Sequence, residues 1–320
     1  MKKIGVLTSG GDTPGMNSAI RAVFKEADYR GMDVMGIFHG FKGLIEGRIR
    51  RLTHEDVANV MHKGGTVLRT ARSAEFMQET GFAKALNMLH AYDIDGLIII
   101  GGDGSYRGAK QLYENGIKTI GLPGTIDNDM GYTDYTIGFT TAVNTITDEI
   151  YKIRDTMRAH DRVGVVEVMG RNCGDIALWS GVAGGADMII VPEVPVDWAD
   201  CARQLEKNKL RGQLTSIVII AEGAGKAEDF ARYVNEHTDV EAKAIVPGYI
   251  QRGGNPTAFD RILAARLGQR AVELLADDVG GRAVGIHDNK IIDVSIEEAV
   301  NMQDSFDEKL FKFNSVLARF

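Results

Sequence analysis

Two short segments set carboxylates among glycines: GGDGS at 101–105 and GTIDND at 124–129. In the first, Gly101, Gly102 and Gly104 let the backbone approach a phosphate without a Cβ in the way. A helix starting there would aim free amides and its positive end at the anion. Asp103 is the hard oxygen donor that magnesium needs, because that ion shares one or two protein oxygens with phosphates and waters. A plain tight turn with a surface Asp is the competing reading, and three glycines after so apolar a strand weigh against it. The glycine spacing 102, 104, 108 does not fit GxGxxG, and GxxxxGK[ST] is absent. In the second segment, Asp127 and Asp129 flank Asn128. Phosphoryl transfer to an alcohol needs a base near the acceptor hydroxyl and little other covalent chemistry. One of these carboxylates can supply it, with Thr125 holding a phosphate or a metal-bound water. Alone, GTIDND is evenly balanced against an Asx-rich turn; beside GGDGS, chemistry is favoured.

A third glycine loop, SGGDTPGMN at 9–17, fits phosphate cradling and simple helix initiation equally well. Arg72, Arg162, Arg171 and Arg252 lie beside strand ends or glycine turns, where the planar guanidinium suits phosphate oxygens. Cys173 reads as a buried, inert thiol. The histidines lack metal-ligand spacing, and Trp179 and Trp198 read as packing residues.

These loops need strands to hold them. Ile4–Leu7, Val34–Phe38, the run before GGDGS, the run before GTIDND, the start of RVGVVEVMGRNCGD, Asp187–Val191 and Ser216–Ala221 read as strands. Helical periodicity lies between them, including a long stripe at 139–157 and another at 259–274. Strand, glycine loop and helix in repetition predict a mostly parallel sheet covered on both faces. Ligands bind outside the carboxyl ends of such strands, where both aspartate loops sit. No linker divides the chain, so a second domain is expected within 139–250, with the chain crossing more than once.

The composition agrees with an enzyme of this kind. The 320 residues suggest two domains. A net charge of -7 argues against a nucleic-acid surface, and the one dense basic run, RIRR at 48–51, reads as a solvated strand end or an anion site. No segment has the uninterrupted apolar length of a membrane span, and the N-terminus runs straight into a strand pattern, so a cytoplasmic protein is expected. Two cysteines cannot build a disulfide framework or a four-ligand zinc site.

Taken in order, MKKIGVLTSGGDTPGMN, GGDGSYRGA, LPGTIDND, IGFTTA, KIRDT, VEVMGRNCGDIAL, AEG, QRGGNPTAFDR and AVGI closely resemble the bacterial ATP-dependent 6-phosphofructokinase family over nearly the whole chain. The resemblance implies two similar three-layer α/β/α domains. Residues 1–138 and 251–302 would bind ATP, and 139–250 with 303–320 fructose 6-phosphate. It implies transfer of the γ-phosphoryl of MgATP to the sugar 1-hydroxyl by a homotetramer. Asp127 would be the base, supported by Asp129, and Asp103 would position magnesium beside Thr125. Gly11, Arg72, Ser73, Gly102, Asp103, Gly104, Ser105 and Gly108 would line the nucleotide site. Arg171 would stabilise the moving phosphoryl. Met169, Gly170, Glu222, Tyr249 and Arg252 would hold the sugar phosphate, with Arg162 and Lys243 reaching in from a neighbouring subunit. Gly104 and Gly124, where pyrophosphate-dependent relatives carry Asp and Lys, imply ATP as donor.

Two regions depart from the pattern. Lys243 and Tyr249 stand where Arg and His are usual, which implies weaker sugar-phosphate binding, since lysine lacks the bidentate fork. At the family's effector site, Arg21, Arg154, Gly185 and Arg211 match. Lys25 and Asp187 replace Arg and Glu, Gln213 and Leu214 stand where lysines are common, and His54 and Asn59 where Arg and Asp are common. Phosphoenolpyruvate and ADP are therefore expected to be weak effectors. Rival readings are a GGDG-type kinase acting on NAD or diacylglycerol, a non-enzymatic sugar-binding regulator and a nicotinamide dehydrogenase. They leave TIDND, MGR and QRGG, the carboxylate among glycines, or the glycine spacing unexplained, respectively.

Overall fold

The computed structural model describes residues 2–319. In chain order the elements are β1 (Lys3–Thr8), α1 (Met16–Tyr29), β2 (Asp33–Ile37), α2 (Gly40–Ile45), β3 (Ile49–Arg51), α3 (Glu79–Ala91), β4 (Gly96–Gly101), α4 (Asp103–Glu114), β5 (Lys118–Thr125), β6 (Ile137–Gly138) and α5 (Phe139–Ala159). There follow β7 (Val163–Val168), α6 (Asp175–Ala183), β8 (Met188–Ile190), α7 (Trp198–Leu210), β9 (Ser216–Ala221), α8 (Ala227–His237), β10 (Ala242–Ile245), α9 (Ala258–Ala276), β11 (Arg282–His287), β12 (Lys290–Ser295), α10 (Ile296–Asn301) and α11 (Glu308–Leu317).

Two compact units emerge. The first comprises Met1–Ile126, Met130–Thr141 and Arg252–Asp304. The second comprises Asp127–Asp129, Ala142–Gln251 and Ser305–Phe320. The first unit's sheet runs β12-β11-β5-β4-β1-β2-β3, with β6 alongside β5. Its centre is parallel, and the edge pairs β2–β3 and β11–β12 are antiparallel. Strand alternation divides the apolar residues into two layers. Ile4, Val6, Ile98, Ile100, Ile120 and Leu122 pack with α1 and α9 residues such as Ile20, Val23, Leu267 and Val272. Leu7, Leu97 and Ile99 face the other way, onto Phe41, Ala85, Tyr106 and Ala109 of α2 to α4. A sheet buried on both faces explains why these strands read as unbroken apolar runs.

The second unit's sheet, β10-β7-β9-β8, is parallel throughout. Val163, Val165, Val218 and Ile220 form its core with Leu205, Phe230 and Val234 of α7 and α8. Trp198 meets Phe230 and Tyr233 edge-on at 5.5 and 6.0 Å, a packing role as expected. The basic run at 48–51 lies on an edge strand whose Arg50 and Arg51 pair with Asp56 and Asp33, so its charges face solvent and neighbouring carboxylates. No helix of the described residues is long and apolar enough to cross a membrane.

In the first unit a buried carboxylate ties distant segments together. Asp260, wholly buried at the start of α9, accepts from the amides of Gly138 and Thr141 at 2.9 and 2.8 Å and from the Thr140 hydroxyl at 2.8 Å. Together with bonds from the Thr141 and Thr257 hydroxyls at 2.5 and 3.2 Å, these replace the carboxylate's lost hydration. They fix the start of α5 against the chain segment that carries Arg252.

Candidate active site

In the first unit β1 connects toward β2 while β4 connects toward β5, and β1 and β4 are neighbours. The crevice at their carboxyl ends is a topological switch point, the place where open α/β sheets bind ligands. Two of the three glycine loops meet there. Ser9 donates its amide to the Ile100 carbonyl at 2.9 Å, and a Cβ on Gly101 would lie 2.5 Å from the Ser9 carbonyl. Such contact admits only glycine. Gly102 precedes α4, so Asp103 and Gly104 open the helix with its free amides exposed. A Cβ on Gly102 would stand 3.6 Å from Cβ of Thr125, which puts the start of GTIDND beside the GGDGS loop. Gly104 has nothing within 4 Å of a virtual Cβ. Asp103 is half-exposed and pairs with Arg107 one helical turn on, at 3.1 Å.

The segment bearing Arg72 and Ser73 is tethered to the same loops. Thr70 donates its hydroxyl to the Gly10 carbonyl at 2.8 Å, and Thr8 donates to the Arg69 carbonyl at 2.9 Å. Arg72 itself is exposed. Ser105 is buried against Gly101, and Gly11 lies beside Arg252, whose Nη1 would be 3.2 Å from a Cβ there. Two glycines carry a different explanation from the one expected. Gly108 lies under the Phe41–Phe76 stack, where a Cβ would stand 2.9 Å from Phe41 Cζ, and a Cβ on Gly124 would meet Ile100 and Met16 at 2.9 and 3.2 Å. Core packing accounts for both. The steric case for a bulky phosphoryl donor therefore rests on Gly104.

The second unit carries Asp127–Asp129 and the loop with Arg171. Asp127 is only 5% exposed and pairs through Oδ2 with Arg171 Nε at 3.2 Å. The Arg171 side chain is 56% exposed, so much of the guanidinium stays open to solvent. Asn128, with φ of 55°, donates its side-chain amide to Asp175 at 2.8 Å. Asp129 continues this turn.

Arg171 sits on the loop leaving β7, and three side chains clamp that loop by its amides. Gln251 accepts from Met169 at 2.9 Å, Glu222 from Arg171 at 3.0 Å, and Glu193 from Gly174 at 2.7 Å. The clamps hold a backbone that would otherwise relax. Gly170 has φ of 133°, and Arg171 occupies the left-handed region at 52°. A Cβ on Gly223 would stand 2.1 Å from the Arg171 carbonyl, so β9's exit packs directly beneath this loop. Glu222 was expected to meet substrate; its Oε1 is committed to the loop. Gln251, Glu193 and Asp175 were not expected from sequence. Gln251 lies in QRGG and Asp175 in MGRNCGD, but neither motif carries partner information, and Glu193 lies in no motif.

Arg162 and Lys243 lie elsewhere. Arg162 precedes β7, and Lys243 pairs with Gly164 near that strand's start, whereas Met169, Gly170 and Arg171 follow its end. The six residues of β7 separate Arg162 from Met169, about 20 Å of strand. Both cations converge on Glu241, at 2.9 Å from Arg162 Nε and 3.0 Å from Lys243 Nζ. Arg162 first, then Lys243, holds the Glu241 carboxyl below its ordinary range. Tyr249 is 79% exposed, in the short helical turn that also carries Gln251 and Arg252.

The residues expected to hold effectors are divided between the units. In the first, Arg21 and Lys25 lie one turn apart on α1; Lys25 Nζ is 2.8 Å from His54 Nδ1, and His54 Nε2 is 3.3 Å from Asp28. Asn59 takes φ of 52°. In the second, Arg154 donates to the Gly184 and Gly185 carbonyls at 2.6 and 2.7 Å. Asp187 accepts from Gln213 and from the Ile217 amide at 2.5 and 2.7 Å. Burial pushes its carboxyl pKa up, against the pull of those hydrogen bonds. Arg211 ends α7, with Leu214 exposed nearby.

Comparison with known proteins gives these loops a lineage. The family model described as "Phosphofructokinase" matches residues 3–275. The chain is 54% identical to the ATP-dependent 6-phosphofructokinase of Alkaliphilus metalliredigens and 55% identical to that of Clostridium tetani. Each match covers 99% of this chain and all of the relative. Among solved structures it is similar to phosphofructokinase from Saccharomyces cerevisiae, with a TM-score of 0.87 and 33% identity, covering all of this chain and 48% of that one. It is also similar to Pichia pastoris phosphofructokinase in the T-state, with a TM-score of 0.89 and 34% identity, covering 99% of this chain and 39% of that one. The chain thus spans less than half of each yeast chain. A pyrophosphate-dependent phosphofructokinase from Marinobacter aquaeolei, 22% identical with a TM-score of 0.87 over 98% of this chain, shares the fold. With two α/β units of this topology, glycine loops at the switch point and an end-to-end match to the curated relatives, the chain belongs to the phosphofructokinase family.

Proposed function

We propose that this protein transfers the γ-phosphoryl group of ATP to the 1-hydroxyl of fructose 6-phosphate, giving fructose 1,6-bisphosphate and ADP. The observation that carries this reading is the pairing of buried Asp127 with Arg171, found in a chain more than half identical, end to end, to enzymes named ATP-dependent 6-phosphofructokinase. In it, residues 1–138 and 251–302 bind nucleotide, and 139–250 with 303–320 bind sugar phosphate. Asp127 accepts the proton of the attacking hydroxyl, with Asp129 supporting the turn. Arg171 carries charge on the moving phosphoryl, since phosphoryl transfer is dominated by positioning and electrostatics. Met169, Gly170, Glu222, Tyr249 and Arg252 form the sugar-phosphate side.

Asp103 and the Thr125 hydroxyl are a donor set that suits magnesium, which would be held there with phosphate oxygens and water. Bound magnesium would neutralise phosphate charge during transfer. Gly11, Arg72, Ser73, Gly102, Gly104 and Ser105 cradle the nucleotide, Gly108 lets α4 approach the aromatic pair beneath it, and the open space at Gly104 admits the α-phosphate. Since Arg162 and Lys243 lie at the amino ends of their strands, they serve the sugar site of a neighbouring copy, consistent with a homotetramer. A cytoplasmic setting and the absence of a nucleic-acid partner accord with the net charge of -7.

Two outcomes are specific to this chain. The double reversion Tyr249→His with Lys243→Arg lowers the KM for fructose 6-phosphate in steady-state assays, because a bidentate cation and an imidazole are gained; an unchanged KM refutes the idea. The effector side is reduced in cations, and Asp187 is already satisfied by Gln213 and Ile217. Phosphoenolpyruvate therefore inhibits only weakly, and saturable inhibition at micromolar phosphoenolpyruvate would refute that. The activity itself is tested by following ADP release with fructose 6-phosphate and, separately, NAD as acceptor. Turnover is expected with the sugar phosphate alone; turnover with NAD alone would replace this reading.

A further inference from the structure

Glu241 is the feature that the proposed reaction leaves unexplained. Its side chain is 47% exposed, and the strand needs only its backbone, whose carbonyl accepts from the Val163 amide at 2.9 Å. Yet the carboxylate bridges the guanidinium of Arg162 and the ammonium of Lys243, at 2.9 and 3.0 Å. A carboxylate placed between two cations occupies the position that a phosphate monoester would take between them.

We propose that Glu241 is an internal stand-in for the sugar 6-phosphate, which the incoming substrate must displace from Arg162 and Lys243. The proposal rests on the sugar-phosphate reading of those two cations. A phosphate dianion brings more charge and three acceptor oxygens, so it can outcompete one carboxylate. The competition acts on binding and ends before the hydroxyl attacks, so it raises KM without touching kcat. Glu241 is then a specificity-determining residue. It holds the cations apart from singly charged anions and sets the threshold for fructose 6-phosphate. The lysine at 243 makes this matter more, because a point charge gives the phosphate no fork with which to compensate.

The test is the Glu241→Gln variant, with fructose 6-phosphate as the probe. Two part-exposed ion pairs are released, so the KM for fructose 6-phosphate falls about three- to tenfold while kcat stays within about twofold. Calorimetric titration with fructose 6-phosphate in the absence of nucleotide should show the same tightening, and Glu241→Asp should stay near the wild type. In the double variant Glu241→Gln with Lys243→Ala the gain should shrink. A KM for Glu241→Gln that is unchanged or raised overturns the proposal. Arg162→Ala and Lys243→Ala separate this from failure of the underlying reading. If both raise KM and Glu241→Gln does not lower it, only the role of Glu241 falls. If neither raises KM, the cations do not bind the sugar phosphate and both ideas fall.

Discussion

Replacing Asp127 with serine is expected to lower kcat for phosphorylation of fructose 6-phosphate by about 10²–10⁴-fold, the range for loss of a positioned general base. Asp127 is buried and held by Arg171 at 3.2 Å, so its carboxylate has a fixed orientation rather than a solvent-averaged one. Serine keeps a polar atom at the position but cannot take up the proton of the attacking hydroxyl near neutral pH. It also leaves Arg171 without its carboxylate partner. Because the proton is transferred only as the hydroxyl attacks, kcat and kcat/KM should fall together. Steady-state rates measured by ADP release check this. A loss confined to KM would reassign Asp127 to binding.

The second large effect is expected from a substitution that removes no functional group. Gly223→Ala would put a methyl carbon 2.1 Å from the Arg171 carbonyl, a backbone atom with no rotamer to move aside. The loop from Met169 to Gly174 must shift, against the three clamps from Gln251, Glu222 and Glu193. Overpacking of this kind costs about 1–3 kcal/mol, little enough for the fold to survive. Displacement of Arg171 by about 1 Å is enough to cost on the order of 10² in rate. Circular dichroism should therefore report a folded protein while kcat drops about a hundredfold or more. Wild-type kcat in a folded Gly223→Ala variant would show that Arg171's placement does not limit transfer.

These two cases mark what the sequence made legible and what it did not. GGDGS and GTIDND could be placed at strand ends because apolar runs stop abruptly in glycine, and sheets of this class bind ligands there. The parallel centre followed from strands lacking alternation, buried on both faces. The antiparallel pair β11–β12 was not legible, because its outer strand is half-exposed and its pattern gives no periodic signal. The clamps on the Arg171 loop were hidden for another reason. Gln251 lies 82 positions from Met169 and Glu222 lies 51 from Arg171, and only the folded sheet brings β7 and β9 side by side. At Gly108 and Gly124 the structure adds a reason that sequence did not show, since aromatic and aliphatic packing alone already demands a glycine there. Arg162 and Lys243 were named as phosphate ligands, but the carboxylate between them follows from parallel registration of β7 and β10, which no motif encodes.

The central claim concerns which bond forms and from which donor. Purified protein incubated with fructose 6-phosphate and either MgATP or magnesium pyrophosphate, with products resolved by phosphorus NMR, tests it most directly. The account predicts fructose 1,6-bisphosphate and ADP from MgATP, with little product from pyrophosphate and none without magnesium. Turnover with pyrophosphate in place of ATP, or a phosphate placed on a hydroxyl other than the first, would contradict it.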